Sequence, residues 1–177
     1  MGKEQEMYFL NSIALRLLKT VSLLLAGLFG LFVFAGNLLD YNSNYEFVQH
    51  VLSMDTTFEG NDLMWRAIES TTVYTIAYWA LIIAEGTFSM LAFIGVYHML
   101  KNIRGTGRQF NRAKSFGYYA YILGFAIWYF GFIVIGSEWF AMWQSQIWNG
   151  KETAMDITSV WIGFAILLAL KDEDLDA

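Results

Sequence analysis

The 177-residue sequence has no cysteine and no proline, and only 15% of its residues are charged. Without cysteine, disulfides, thiolate chemistry and sulfur-ligated metals are excluded together. Without proline, every helix keeps its full set of backbone donors, so no proline kink is expected. The charged fraction falls well below the roughly one quarter of an ordinary soluble domain. What replaces charge is apolar: 56% of residues are hydrophobic and 18% aromatic, with 7 Trp and 10 Tyr. Such abundance of Trp and Tyr suits a protein with much surface at the lipid–water boundary. The length suits one domain.

Four apolar stretches organise the chain, at about residues 13–36, 71–99, 117–136 and 154–170. About 20 residues at ~1.5 Å each cross the hydrocarbon core of a bilayer, so each stretch is read as a span. The expected fold is an all-α membrane protein: a four-helix transmembrane bundle, up-down-up-down, with a short amphipathic helix in the first outer loop. The polar start, Met1 to Asn11, lacks the apolar core and small-residue cleavage site of a secretory signal, so the first helix is expected to be retained. Arg16 and Lys19, near the start of that helix, are expected to snorkel toward headgroups.

The net charge of −5 conceals a segregation. Acid collects in the tail, as Asp172, Glu173, Asp174 and Asp176, whereas the connection between the second and third spans carries Lys101, Arg104, Arg108, Arg112 and Lys114 with no acid. With Lys3, Arg16, Lys19 and Lys171, nine of the eleven Lys and Arg residues fall at one set of helix ends, leaving Arg66 and Lys151 at the other. The positive-inside rule then places both termini in the cytoplasm and residues 37–70 and 137–153 outside a cell inner membrane. The basic connection is most simply a topology signal, and attraction to anionic headgroups is its second reading. It lacks the interleaved aromatics of a nucleic-acid surface, so the expected environment is the lipid bilayer rather than nucleic acid.

Distinctive residues gather in the two outer connections. Ser43-Asn44-Tyr45-Glu46 has the spacing of a capping box. The helix it would begin carries Phe47, Val48, Val51 and Leu52 on one side and Glu46, Gln49, His50 and Ser53 on the other, and should end near Met54–Thr57. It would lie on the membrane surface or cap the bundle. In the second connection Trp139, Trp143 and Trp148 fall within fourteen residues, Ser137–Gly150, with Trp139 and Trp143 on one helix face. An interfacial aromatic belt accounts for them. The functional alternative is a shared surface, with His50, Asp55, Glu138, Trp139 and Trp143 at the centre of a ligand- or partner-binding site.

Glu85 lies near the middle of the second span. A charge at that depth costs roughly 2.5–3.5 kcal/mol, so this carboxyl should face protein and favour its neutral form, either as a packing group or as part of a pathway. His50 and His98 are the only histidines and sit about a bilayer apart, roughly 30 Å, which rules out a bis-histidine haem in one chain. Glu46 and Met54, four residues either side of His50, would suit a soft metal or a pH-sensing group; a plain surface or capping histidine is the simpler reading. Gly117, Ala120, Gly124 and Gly131 form a stripe of small residues on the third span. Such a stripe admits another helix closely, from this chain or from a second copy in a homo-oligomer.

The runs Gly36-Asn37-Leu38-Leu39-Asp40-Tyr41 and Phe47–Phe58, together with Phe110–Lys114 and Gly136–Ser145, resemble a bacterial family of predicted small integral membrane proteins. The resemblance covers nearly the whole chain. It implies four spans in an inner membrane and brings no activity, cofactor or catalytic residues. Three functions follow from the residues, in descending order. The first is a non-catalytic protein binding a partner or ligand through its outer segments, as an accessory subunit of a larger membrane complex. The second is a proton- or ion-coupled carrier or channel centred on Glu85, disfavoured because four helices offer little room for a pathway and the absence of proline argues against the broken helices of many carriers, so an oligomer would be needed. An enzyme acting on a lipid or quinone is third, because no nucleophile–base pair stands at a recognisable spacing.

Overall fold

The computed structural model describes residues 3–175, all of whose regular structure is helical. Helix α1 (Lys3–Leu39) is followed after one residue by α2 (Tyr41–Ser53), then α3 (Thr71–Lys101), α4 (Gly107–Ala113), α5 (Ser115–Gly124) and α6 (Lys151–Ala169). Between α5 and α6 the helix continues without interruption as a π-helix over Phe125–Trp139. Short 3₁₀ turns stand at Met64–Arg66 and Met142–Gln144. Among the described residues four helices are long and apolar enough to cross a membrane: Met7–Leu39, Thr71–Lys101, Gly107–Trp139 and Lys151–Ala169.

Contacts made in register down the helices show that neighbours run antiparallel. Gly30 of α1 meets Phe88 of α3, while further along Gly27 meets Ala92 and Gly95 meets Leu23. Across the next interface Gly95 meets Gly117 of α5 and Phe88 meets Gly124; across the last, Gly117 meets Leu168 and Gly124 meets Trp161 of α6. The centre is aromatic. Phe29, Phe88, Trp128 and Trp161 pack edge to face with ring centroids 5.2–5.7 Å apart, except for the tilted Phe88–Trp161 pair at 5.5 Å. Outward-facing positions are as apolar as the centre, with Phe32, Ile76, Ile83, Met90, Ile122 and Ile166 exposed along the spans. A continuous apolar surface of that extent fits contact with lipid.

Three sequence expectations change in the structure. Helix α2 begins two residues before Ser43, with Asp40 at its N-cap, and the Ser43 hydroxyl donates to Asp40 Oδ1 at 3.0 Å. So Ser43 is not the cap of a capping box. Its end does fall at Met54, which adopts the left-handed conformation that terminates a helix (φ 55°). Arg16 and Lys19 do not snorkel: they are 1% and 0% exposed and turn inward onto the tail. Finally, the Gly117/Gly124/Gly131 stripe divides: Gly117 and Gly124 meet the second span, one of the two expected neighbours, but Gly131 does not continue that face. Gly117 and Gly124 are buried against α1, α3 and α6, and Gly131 falls on a different side of the helix, lining a cavity.

Candidate functional site

The π-helix shapes the site. Its N–H groups reach back five residues rather than four, a winding that is rare and occurs frequently at functional positions. The closing bond runs from Phe140 N–H to Ile135 O at 3.0 Å. In this winding, residues five apart come to lie above one another. A Cβ on Gly131 would sit 3.5 Å from Ala126 O, and one on Gly136 would sit 3.4 Å from Gly131 O. Ala126, Gly131 and Gly136 therefore form a row of small residues, with Ile127 and Phe132 forming a second row beside it. An α-helix would spread residues five apart around its circumference. No proline is needed for this departure from α-geometry, and the absence of proline gave no warning of it.

Both rows face a cavity of about 320 Å³. Its second wall is Ala77, Leu81 and Ala84, one face of α3, and its roof is Phe47, Val48, Val51 and Leu52 of α2, with Phe140 and Met142 closing the end. The cavity exists because α3 packs tightly on α5 and then parts from the π-helix that continues it. Every lining side chain is apolar or glycine. Its volume lies at the lower end of the roughly 300–1,000 Å³ of small-molecule sites.

A cap built from the two long connections holds the roof in place. Val51 and Met54 pack with Phe140, Ala141 and Met142 as one buried cluster, joined at its edge by Phe47, Leu52 and Leu63. Polar bonds fasten the same two segments. Thr56 Oγ1 donates to Ser145 Oγ at 2.8 Å, while Phe58 N–H and Asn61 Nδ2 both donate to Gln144 Oε1 at 3.1 Å. Buried Ser145 in turn accepts from the Trp148 N–H at 2.9 Å. The two long connections thus pack on one another, as expected.

The five residues expected to centre a shared surface occupy four separate positions. His50 Nδ1 lies 2.9 and 2.8 Å from the two carboxylate oxygens of Asp55, and its ring stacks on Trp148 at 4.7 Å between centroids. Trp139 meets Trp65 edge to face, with the Arg66 guanidinium 4.5 Å from the Trp139 ring centre. Trp143 meets Phe58. Glu138 pairs with Lys151 at 3.2 Å. Trp139 and Trp143 do not share a helix face, because the helix stops at Trp139 and Ala141 takes a positive φ of 51° before the 3₁₀ turn. The residue that sequence reasoning passed over is Trp148, which joins His50 to Phe47 of the roof.

Glu85 is buried and faces protein. Asn37 Nδ2 donates to its Oε2 at 2.6 Å, and the Tyr78 hydroxyl donates to the Asn37 backbone carbonyl at 2.9 Å. It lies on α3 one residue beyond Ala84 of the groove wall and is not among the lining residues of that cavity.

Residues 15–171 match the model of a family described as predicted small integral membrane protein. No curated protein and no solved structure matches the chain. The match spans most of the sequence, and the chain belongs to this family: it is a multi-pass integral membrane protein.

Proposed function

We propose that this member of the predicted small integral membrane protein family is a non-catalytic binding protein whose capped groove holds a hydrocarbon chain of a membrane lipid. One observation carries the reading. The cavity is lined only by apolar groups and glycine, lies between two membrane-crossing helices, and is roofed by a cap built from both long connections. Its surroundings supply one abundant ligand of matching chemistry, the acyl or isoprenoid chain. The row of Ala126, Gly131 and Gly136 gives that chain room along the π-helix, and the tight cap limits escape at the roof. In the inner membrane, oriented by its Lys and Arg distribution, the groove lies beneath the cap on the outer-leaflet side.

The alternatives have weaker support. Glu85 sits in a closed contact with Asn37, which suits a hydrogen bond that fixes α1 against α3 better than a pathway. Among the described residues the His50 ring bonds to Asp55 alone, and Glu138 is engaged by Lys151, so the two do not combine as an acid–base pair.

Native mass spectrometry of the protein released from membranes tests the proposal. The wild-type chain should retain one lipid through mild activation. Gly131→Leu or Ala84→Trp, which fill the groove, should release it while the fold persists. Equal lipid retention by filled and wild-type chains contradicts the groove as the binding site.

A further inference from the structure

At the opposite end of the bundle the tail lies across three buried cations. Arg16, Lys19 and Lys114 are 1%, 0% and 1% exposed. Lys19 Nζ and Lys114 Nζ converge on one oxygen of Asp172 at 2.7 and 2.9 Å, and both also donate to Leu170 O. Arg16 donates to Ile103 O, Gly105 O and Glu173 O at 2.9, 2.6 and 2.7 Å, and its guanidinium lies 4.9 Å from the Phe110 ring centre. Its Nε is buried with no partner. Asn111 grips the tail backbone from the other side, donating to Asp172 O and accepting from Asp172 N–H.

Two features distinguish this arrangement from an ordinary ion pair. The first is its balance. Three buried cations face a single buried carboxylate, with Asp174 acting on Arg16 from the exposed end of the tail, where it accepts from the Gly107 N–H, so buried positive charge exceeds buried negative charge where removal from water makes unpaired charge costly. A group with more anionic oxygens than a carboxylate would satisfy the cluster better. The second is the shape around it. Residues 170–174 have no regular structure of their own and are held by side chains of α1, α4 and the junction of α4 with α5. A recess of about 250 Å³, with Asn11, Ser12 and Arg16 in its wall, flanks the tail on one side, and one of about 870 Å³, with Arg108, Asn111 and Arg112, flanks it on the other. The tail is the partition between two polar recesses, and its displacement would merge them into one basic cleft at this end of the spans.

We infer that Arg16, Lys19, Lys114 and Asn111 form a binding site for a phosphate group, that of an anionic phospholipid headgroup or of free phosphate, and that Asp172 occupies it as an internal stand-in. The tail and the anion compete for the same ammonium groups. This site is separate from the lipid-chain groove and does not depend on it.

Because the chain contains no cysteine, Leu175→Cys accepts a single spin label in the otherwise unchanged 177-residue chain. In zwitterionic detergent, short-chain phosphatidylglycerol should mobilise the label and phosphatidylcholine of equal chain length should not. Inorganic phosphate decides the source: mobilisation by it at equal concentration assigns the site to free phosphate, and its failure assigns the site to the lipid. Asp172→Asn, which weakens the competitor, should bind phosphatidylglycerol about tenfold more tightly, since a state that must first release its tail binds in proportion to the released fraction. A label that stays immobile with both anions in the wild-type chain overturns the inference, whether or not Asp172→Asn folds. So does a folded Asp172→Asn with unchanged affinity for both.

Discussion

Asn37 of α1 donates to the buried Glu85 carboxyl of α3 at 2.6 Å, and this bond ties together the two helices that pack along most of their length. Replacing Glu85 with Gln keeps an acceptor and should leave thermal stability in detergent nearly unchanged. Glu85→Leu strands the Asn37 amide and should cost roughly 1–3 kcal/mol. Asn37→Leu combined with Glu85→Leu should recover part of that loss, because neither polar group is then left alone. Glu85→Lys puts a cation in the bundle and should prevent folding. A Glu85→Leu protein as stable as wild type contradicts the assignment of this bond as a fastening.

Gly95 and Gly117 let three helices meet. A Cβ on Gly95 would lie 3.0 Å from the backbone nitrogen of Gly117 and 2.8 Å from a Leu23 methyl. Backbone cannot yield as a side-chain tip does, so Gly95→Ala should destabilise by about 1–3 kcal/mol. Gly163 has no neighbour within 4 Å of its hypothetical Cβ. Gly163→Ala should be neutral or stabilising by up to about 1 kcal/mol through helix propensity. Chemical denaturation of both variants checks the contrast.

The cap is tested by a designed disulfide. Thr56 and Ser145 bring their hydroxyls within 2.8 Å, so Thr56→Cys with Ser145→Cys should form a disulfide on mild oxidation, seen as a mass loss of two hydrogens. Both residues pairing only between chains, or not at all, contradicts the cap.

Sidedness rests on the distribution of Lys and Arg. Single cysteines at exposed Ser43 and Asn149 should react with an impermeant thiol reagent added outside intact cells, whereas one at exposed Arg108 should react only after the membrane is opened. Arg108 is exposed, whereas its neighbour Gly107 lies beneath the tail backbone at Asp172. The reverse labelling pattern overturns the orientation.

The spans were legible in the sequence because apolar runs and their lengths are local properties. The buried position of Glu85 followed from the cost of a charge at that depth, and the end of α2 near Met54 from its pattern. The remainder depended on partners distant in the chain. Arg16 and Lys19 read as snorkelling cations because the residues that hold them, Leu170, Asp172 and Glu173, lie some 150 positions later. Gly117 and Gly124 read as a candidate dimer face because spacing shows that a helix can approach without showing which one. Trp148 read as belt because its stacking on His50 is set by the turn at Ser145. The π-helix left one trace, the five-residue spacing of Ala126, Gly131 and Gly136. A search at the α-helical period overlooks it, and with it the groove.

The central claim, that the groove under the cap holds a lipid chain, is tested most directly by photolabelling in native membranes with a phospholipid carrying a diazirine on one acyl chain, followed by mapping of the adducts. Adducts should concentrate on Leu81, Ala84, Ile127 and Phe132 in the wild-type chain and disappear from them in Gly131→Leu, while lipid-facing Ile76 and Ile83 stay labelled in both. Equal labelling of the groove residues in wild type and Gly131→Leu, or labelling confined to the lipid-facing surface, contradicts the account.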